Sequence, residues 1–365
     1  MKKKSLLIAL LLLCSAAVIT VLAAGGSSSD PLISLSYLNG TYTDKVNAAV
    51  DSRLDASDQA ITAAVTSGGS AGGSTASGWT ETRLKQQDVL SGSTGLTVMT
   101  LAGSVKVTFS SGAVVDVTNG TTVPSGTALA VRHRYLVAEN TTASFTVTSL
   151  TAVVDHQGPC TTALSASADY NAMAAALKTM HLFKGTFTGY GSGYDLEVSP
   201  TRLQALIMFI RVLGEEDQAL AYTGTNPFRD IAAGSEAARY VGYAYAKGYT
   251  AGYTATSFKP SQAVNAYQYT EFVLRALGYS SNSNTNLSGT LEKARTSGVL
   301  TAGEVSALKS GTFLRAQLVY ISFYALDAVV SGSGNTLRNT LISKGVFTSA
   351  ESETAAQLVS SSRIA

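Results

Sequence analysis

Apolar residues recur at the spacing of a one-sided helix in three stretches of the C-terminal half. When VLG (212–214), ALG (276–278) and ALD (325–327) are superimposed, the positions before them match at steps i, i+3, i+4, i+7 and i+8. The three stripes are Ala205, Met208, Phe209, Val212 and Leu213; Tyr269, Phe272, Val273, Ala276 and Leu277; and Leu318, Ile321, Ser322, Ala325 and Leu326. Because none of these helices can bury its stripe alone, we expect the three faces to meet in one shared bundle.

Glycine-containing segments precede the three helices, namely HLFKG (181–185), GYTAG (248–252) and GVLTAG (298–303). Glycine at such a place is typical of a left-handed helix end or a tight turn. Ser199 and Pro200 are predicted to be the N-cap and the first residue of the first helix.

Residues 79–156 have a different pattern, with short β-rich runs separated by NG, SG and EN turn signals. The seven runs are 96–102, 104–110, 113–118, 127–133, 134–139, 143–149 and 150–154. They predict a small all-β sandwich or roll. HRYLVAEN (133–140) faintly resembles a cupin-type barrel, but no histidine cluster stands at metal-ligand spacing, so we expect no metal and no cofactor.

The N-terminal residues 1–24 read as an export signal, with three lysines before an apolar run that ends in small residues. The run is long enough to leave an uncleaved signal anchor as an alternative. Residues 25–78 are predicted to be a polar lead, a helix at 42–65 and a Gly/Ser linker at 66–78. Helix 42–65 has an imperfect apolar seam, which fits either packing on its own chain or weak self-association.

Composition narrows the function classes for this chain of 365 residues, which is long enough for two domains. Its formal net charge of +2 is too small to indicate a nucleic acid partner. Once the signal is removed only Cys160 remains, so no internal disulfide can form, and we expect this thiol to be inert. The acidic residues of the β-module, Glu81, Asp88, Asp116, Glu139 and Asp155, show no spacing typical of a catalytic pair, so we expect no catalytic residues and no enzyme.

A series of ordered motifs follows the first helix, namely PFRD (227–230), YVGYAYAKG (240–248), GYTAG, SFKP (257–260) and LRALG (274–278). Together they resemble the S-layer homology module in its three-repeat form, which is common in Gram-positive bacteria. The resemblance covers residues 165–330, with repeats at about 165–214, 226–279 and 286–327. It implies an all-α three-repeat bundle, and NTLRNTLISKGVF begins a helical cap at 331–365.

The resemblance implies non-catalytic attachment of an extracellular protein to the cell wall or S-layer. Its expected partner is an acidic, often pyruvylated, secondary cell-wall polysaccharide linked to peptidoglycan. The family's Thr-Arg-Ala-Glu-like motif matches at Thr201 and Arg202 and again at Arg315, whereas Ala266 replaces the arginine in repeat two. The acidic fourth position is Gln in all three repeats, so ligand identity and the second groove are open.

The remaining candidate polysaccharide-binding residues are Tyr249, Gly252 and Tyr253, at the glycine turn of repeat two. Two other functions stay open. The β-module could be a wall-docked glycan-active enzyme, which would need a carboxylate pair. Alternatively, a retained N-terminal span would make the chain a membrane-anchored protein that bridges the envelope.

Overall fold

The structure is a computed structural model that describes residues 78–185, 194–280 and 286–365, together with Lys45, Ala48, Ala49 and Ser52. The chain divides into two compact units, Met1–Ser74 and Thr75–Ala365. The four described positions of the first unit are helical and exposed, and they fall within the helix expected at 42–65. The expected export signal and most of the Gly/Ser linker lie outside the described residues. No helix in the described ranges is long and apolar enough to cross a membrane.

Ten strands in the described part of the chain form two antiparallel sheets. The six-stranded sheet has the order β1-β9-β3-β7-β5-β6, and the four-stranded sheet has the order β10-β2-β8-β4. The strands are β1 Thr80–Lys85, β2 Val89–Ser93, β3 Thr97–Ala102, β4 Val105–Phe109, β5 Val114–Asp116, β6 Thr121–Val123, β7 Arg134–Val137, β8 Thr142–Val147, β9 Thr151–Gln157 and β10 Thr161–Ala163.

The expectation of a β-sandwich is confirmed, because the two sheets enclose one apolar core. In β8 the buried residues alternate as Ala143, Phe145 and Val147, the period of a strand with one face inward. Leu90 from the same sheet and Val98 from the other belong to the same core cluster.

The strands differ from the sequence expectation in three ways. Strands β1, β2 and β6 correspond to none of the seven expected runs. The run 127–133 is not a strand: Leu129 N–H donates to the Val105 carbonyl of β4, and the chain then turns through Arg132 at φ 66°. The sandwich also continues past residue 156 into β10. That edge strand is exposed throughout, so it carries no hydrophobic alternation that could have predicted it.

Ten helices in the described ranges make up the rest of the second unit. They are α1 Tyr170–Thr179, α2 Arg202–Val212, α3 Glu216–Leu220, α4 Glu236–Ala246, α5 Ala266–Ala276, α6 Thr290–Thr296, α7 Ala302–Lys309, α8 Arg315–Ala325, α9 Leu337–Ser343 and α10 Ser349–Leu358. They share one apolar core, which includes part of the segment expected to be a cap at 331–365.

The three striped helices are α2, α5 and α8, and each contacts the other two. Phe209 of α2 stacks on Phe272 of α5 with ring centroids 5.7 Å apart. Tyr269 of α5 and Ser322 of α8 share a buried hydrogen bond of 2.5 Å between their hydroxyl oxygens. The serine that interrupts the third stripe is therefore satisfied inside the core, where an unpaired hydroxyl would be costly.

The sandwich and the helices form one unit because the chain that joins them is bonded back to the sandwich. Asp88 accepts hydrogen bonds from Ser165 N at 2.7 Å and from Lys85 N and Nζ at 3.0 Å each. Asp88 is 2% exposed and Lys85 is 7% exposed. These bonds hold the pKa of Asp88 below its usual range although burial opposes ionisation.

We expect Asp88→Ala to lower the free energy of unfolding by about 3–5 kcal/mol, because it leaves the Lys85 ammonium buried without its partner. Guanidinium denaturation followed by circular dichroism measures this. Lys85→Met combined with Asp88→Ala should recover part of the loss. A single variant as stable as the wild type would show that the ion pair does not hold the two parts together.

Candidate functional site

Each of the helices α2 and α5 begins with a reciprocal cap. Thr201 Oγ1 accepts from Gln204 N at 3.2 Å, and Thr201 N donates to Gln204 Oε1 at 3.0 Å. Asn265 and Gln268 make the same pair of bonds at 2.9 and 3.2 Å. The N-cap of α2 is thus Thr201, and the prediction of Ser199 and Pro200 for the start of this helix was wrong by two residues.

The third striped helix keeps half of this arrangement. Leu314 N donates to Gln317 Oε1 at 2.9 Å, so glutamine at the fourth motif position caps the backbone in all three helices. This role was missed from the sequence, although the spacing of Thr201 and Gln204 is that of a capping box. Glutamine offers the same acceptor oxygen as the acid that the resemblance implies here.

The first amide of α2 donates to the loop before α5, and the first amide of α8 donates to the loop before α2. Arg202 N donates to the Gln262 carbonyl at 2.8 Å, and Arg315 N donates to the Val198 carbonyl at 2.9 Å. In each case the acceptor lies four residues before the start of the neighbouring striped helix. The amides one residue later, of Leu203 and Ala316, donate to the carbonyls of Pro260 and Leu196. Each of these carbonyls lies six residues before the start of the neighbouring helix. The two arginines therefore occupy equivalent places.

Arg202 is 7% exposed and lies against aromatic rings. Its guanidinium carbon is 4.9 Å from the centre of the Phe258 ring and 5.5 Å from that of Phe272. Nη2 donates to the Gly252 carbonyl at 3.3 Å, while the buried Nε has no hydrogen-bond partner. Burial, and next the charge of Arg275, lowers the pKa of Arg202 to about 10, so the group remains charged at neutral pH.

The glycine turn of the second repeat lies beside this guanidinium. Gly252 has φ 81°, and a Cβ there would clash with the Phe228 ring, so no larger residue fits. The Tyr253 ring is 50% exposed, and Lys259 Nζ lies 3.6 Å from its centroid. We call Arg202, Gly252, Tyr253, Phe258 and Lys259 the Arg202 cluster.

Arg315 has different surroundings at its equivalent place. It is 8% exposed, and its Nη1 lies 3.3 Å from Asp195 Oδ2, a carboxylate whose side chain is 2% exposed. Burial, and also the charge of Arg211, lowers the pKa of Arg315, against the opposing effect of Asp195. The arginine of the third motif is thus already paired with an acid of its own chain.

Tyr249 is not part of the Arg202 cluster. Its hydroxyl donates to Glu215, with the two carboxylate oxygens at 3.0 and 3.2 Å, and its ring meets Phe209 edge-on at 5.4 Å. Burial and then the charge of Glu215 raise its pKa. Of the predicted site residues, the structure therefore brings Arg202, Gly252 and Tyr253 together, uses Thr201 as a cap, and leaves Tyr249 and Arg315 elsewhere.

Neither arginine lines either of two cavities in the described part of the chain, although the first is lined by Leu314 and Gln317 beside Arg315. One of about 400 Å³ lies between the sandwich and the helices and is lined by residues that include Gln86, Leu150 and Tyr320. The other, of about 740 Å³, surrounds the start of α4 and includes Phe228 and Arg239.

The sandwich brings together two pairs of groups that their spacing along the chain did not single out. Glu81 and Asp155 are directly opposite each other on β1 and β9, and burial followed by the charge of Glu81 raises the pKa of Asp155. Cys160 Sγ lies 3.4 Å from His156 Nδ1. Burial raises the pKa of this thiol and lowers that of the imidazole, and a raised thiol pKa disfavours the reactive thiolate.

Residues 227–265 match the sequence model of the S-layer homology domain. The chain therefore contains an S-layer homology domain, which implies association with the cell wall or cell surface. The match runs from the PFRD motif to the N-cap of α5. It includes Gly252, Tyr253 and Lys259, whereas both arginines of the motif lie outside it.

Solved structures that are similar to part of the chain include two 11S globulins. Procruciferin, an 11S globulin from Brassica napus, is 12% identical over 23% of this chain and 22% of its own, with a TM-score of 0.17. Recombinant pro-11S globulin of pumpkin is 11% identical over 27% of this chain and 28% of its own, with a TM-score of 0.16. The chain spans less than a third of either protein. The comparison with curated proteins gave no match.

We expect Gln204→Ala to lower the free energy of unfolding by about 1 kcal/mol, since the Thr201 amide loses its acceptor. Gln204→Glu should keep the stability, because a carboxylate accepts the same bond and is favoured at a helix start. Urea denaturation measures both, with the exposed Gln357→Ala as the matched control. Equal losses for the alanine and glutamate variants would contradict the capping role.

Proposed function

We propose that the chain is an exported surface protein that attaches non-covalently to the cell wall. In this proposal its helical region binds an acidic, pyruvylated secondary cell-wall polysaccharide, and the sandwich is a structural or interaction module. The S-layer homology domain at 227–265 supports the wall association. The N-terminal pattern of residues 1–24 supports export, with a retained membrane anchor as the alternative.

The observation that carries the proposal is the state of Arg202. Among the described residues, no carboxylate lies within ion-pair distance of its guanidinium, and its Nε has no partner. A buried charge without a counter-ion is unfavourable, and an arginine fork matches a carboxylate with two parallel hydrogen bonds. An anionic sugar would supply the charge that the protein itself does not.

The repeat organisation is part of the proposal. Three helices of equal length, each with a glutamine cap, contact one another in one core. The starts of α8 and α2 are bonded to the neighbouring loops at identical offsets. These equivalences support three related units around a common interior, with α2, α5 and α8 as the central helix of each.

We expect Arg202→Ala to reduce retention of the full chain on purified wall sacculi at least roughly tenfold, because the carboxylate loses a charge-assisted bidentate partner. Arg202→Lys should also bind weakly, since an ammonium cannot form two parallel bonds. Arg295→Ala, at an exposed arginine of α6, is the matched control. The measurement is co-sedimentation, with sacculi stripped of polysaccharide by hydrofluoric acid as the blank.

Arg315→Ala combined with Arg202→Ala should abolish retention. Folding of each variant is checked by circular dichroism, because removal of Arg315 also leaves Asp195 buried without this partner. Full retention by a folded double variant would contradict the assignment of the site.

A second candidate function is glycan cleavage by the sandwich, and one observation favours it. Glu81 and Asp155 stand opposite each other on neighbouring strands, and the raised pKa of Asp155 suits a proton donor. Met99 of β3 pairs with Asp155 of β9 on one side and with Arg134 of β7 on the other. Arg134 therefore adds a cation to the same row of residues across the sheet. A pair of carboxyl groups is what glycoside hydrolysis requires.

If this second function holds, the full chain will release reducing ends from purified wall polysaccharide. Glu81→Gln and Asp155→Asn should each abolish the release, while Asp217→Asn, at an exposed acid of α3, should not change it. Reducing-sugar assay against a no-protein blank is the measurement. Absence of release by the wild type would leave attachment as the function of the chain.

A further inference from the structure

The cavity of about 400 Å³ between the sandwich and the helices has the size of a small-molecule binding site. Its wall combines the chain after β1 and the β8–β9 turn of the sandwich with α1, α7, the start of α8 and the segment that follows α10. Leu150, Leu308, Leu314 and Ile364 supply apolar surface, and the remaining lining groups are mostly neutral and polar. Among the described residues of this wall, none is a lysine, arginine, histidine or aspartate.

Glu304 is the one carboxylate among the described residues of the wall, and its bonds are already used. It is 1% exposed, and Arg363 donates to it from Nε at 2.6 Å and from Nη2 at 2.9 Å. The Tyr320 hydroxyl donates to it at 2.8 Å, and Thr301 N donates at 2.7 Å. Because the charge of Glu304 is offset by Arg363, an ion that entered the cavity would lose its water without gaining a counter-charge. The ligand that this wall favours is therefore uncharged.

Two polar groups of the wall have no hydrogen-bond partner among the described residues. Tyr170 is 6% exposed, and its hydroxyl makes no hydrogen bond. Gln317 is 8% exposed, and its Oε1 accepts from Leu314 N at 2.9 Å while its amide nitrogen is unused. Neither atom is sealed from solvent, so each can bond to a molecule in the cavity. A buried polar group that the protein leaves unpaired is satisfied by water or by a ligand.

The two tyrosines of the wall differ in how their hydroxyls are used. Their rings lie 5.6 Å apart between centroids. The Tyr320 hydroxyl donates to Glu304 and accepts from Ile364 N at 2.9 Å, so it is fully committed to the protein. Burial, and next the charge of Glu304, raises the pKa of Tyr170 to about 12. The Tyr170 hydroxyl is therefore protonated at neutral pH and available as a donor.

We propose that this cavity binds an uncharged small molecule that has an apolar body and a hydroxyl or carboxamide group. The apolar body packs on the leucines and Ile364. The Gln317 amide nitrogen donates to the oxygen of the polar group, and the Tyr170 hydroxyl makes the second hydrogen bond. A hydroxyl or carboxamide both accepts and donates, so it satisfies both side chains without a charge. The inference is independent of the polysaccharide and of Arg202, and it gives the contact between the sandwich and the helices a binding role.

The test is a titration of the full chain, followed by the fluorine NMR line width of probes that share one shape and differ in one group. We expect 4-fluorobenzamide and 4-fluorobenzyl alcohol to bind with dissociation constants on the order of 1 mM, the range for ligands of about ten non-hydrogen atoms. 4-Fluorobenzoate should bind at least roughly tenfold more weakly, because its charge meets no free cation in the wall. 4-Fluorotoluene should also bind more weakly, because it leaves both polar groups without a partner.

Tyr170→Phe should weaken the binding of 4-fluorobenzamide about three- to tenfold, which corresponds to the loss of one neutral hydrogen bond. It should leave the free energy of unfolding unchanged, because the hydroxyl has no partner in the described part of the protein. Gln317→Glu keeps the oxygen that caps α8 but removes the amide nitrogen, so it should weaken binding at least as much. Tyr245→Phe, at an exposed tyrosine of α4, is the matched control and should leave the affinity unchanged.

Three results would overturn the inference: no binding of 4-fluorobenzamide up to roughly 10 mM, binding of the benzoate or toluene probe as tight as that of the benzamide, or unchanged affinity in the folded variants of both Tyr170 and Gln317. If Tyr170→Phe does not fold, the wild-type probe series and Gln317→Glu decide. Retention on sacculi should be the same for Tyr170→Phe and the wild type, so failure of this inference leaves the attachment proposal intact.

Discussion

The shared burial of three helices is the constraint on which the helical part of the second unit depends, and α8, expected to bury one face, is buried along its whole length. Helices α2, α5 and α8 each present an apolar face that the other two help to cover. Phe209 and Phe272 stack across one of these contacts. Because the amides at the starts of α2 and α8 bond to the loops before their neighbours, the contacts that form the core also fix where the motif arginines lie.

Burial has different consequences for the two arginines. A guanidinium removed from water needs hydrogen bonds and a counter-charge. Arg315 has Asp195 for this purpose, whereas Arg202 has aromatic rings and one carbonyl, which satisfy it only in part. The same motif can therefore yield a structural ion pair at one place and a potential anion site at another.

The sequence was sufficient for the parts of the fold that local periodicity controls. The stripes predicted α2, α5 and α8, and the turn signals predicted a β-sandwich. It was insufficient where partners are distant in the chain: Asp195 meets Arg315 across 120 residues, and Glu81 meets Asp155 only through strand pairing. The run 127–133 had the composition of a strand, but the left-handed turn at Arg132 ends its pairing early.

The glutamine caps connect helix stability with the charge of the site. Gln204, Gln268 and Gln317 satisfy the backbone at the three helix starts without adding a negative charge there. A carboxylate at position 204, two residues after Arg202, would accept the same bond but would bring a negative charge to the helix start that carries the arginine. With glutamine, the helix start keeps its cap without an added negative charge, which suits the external anion proposed for Arg202.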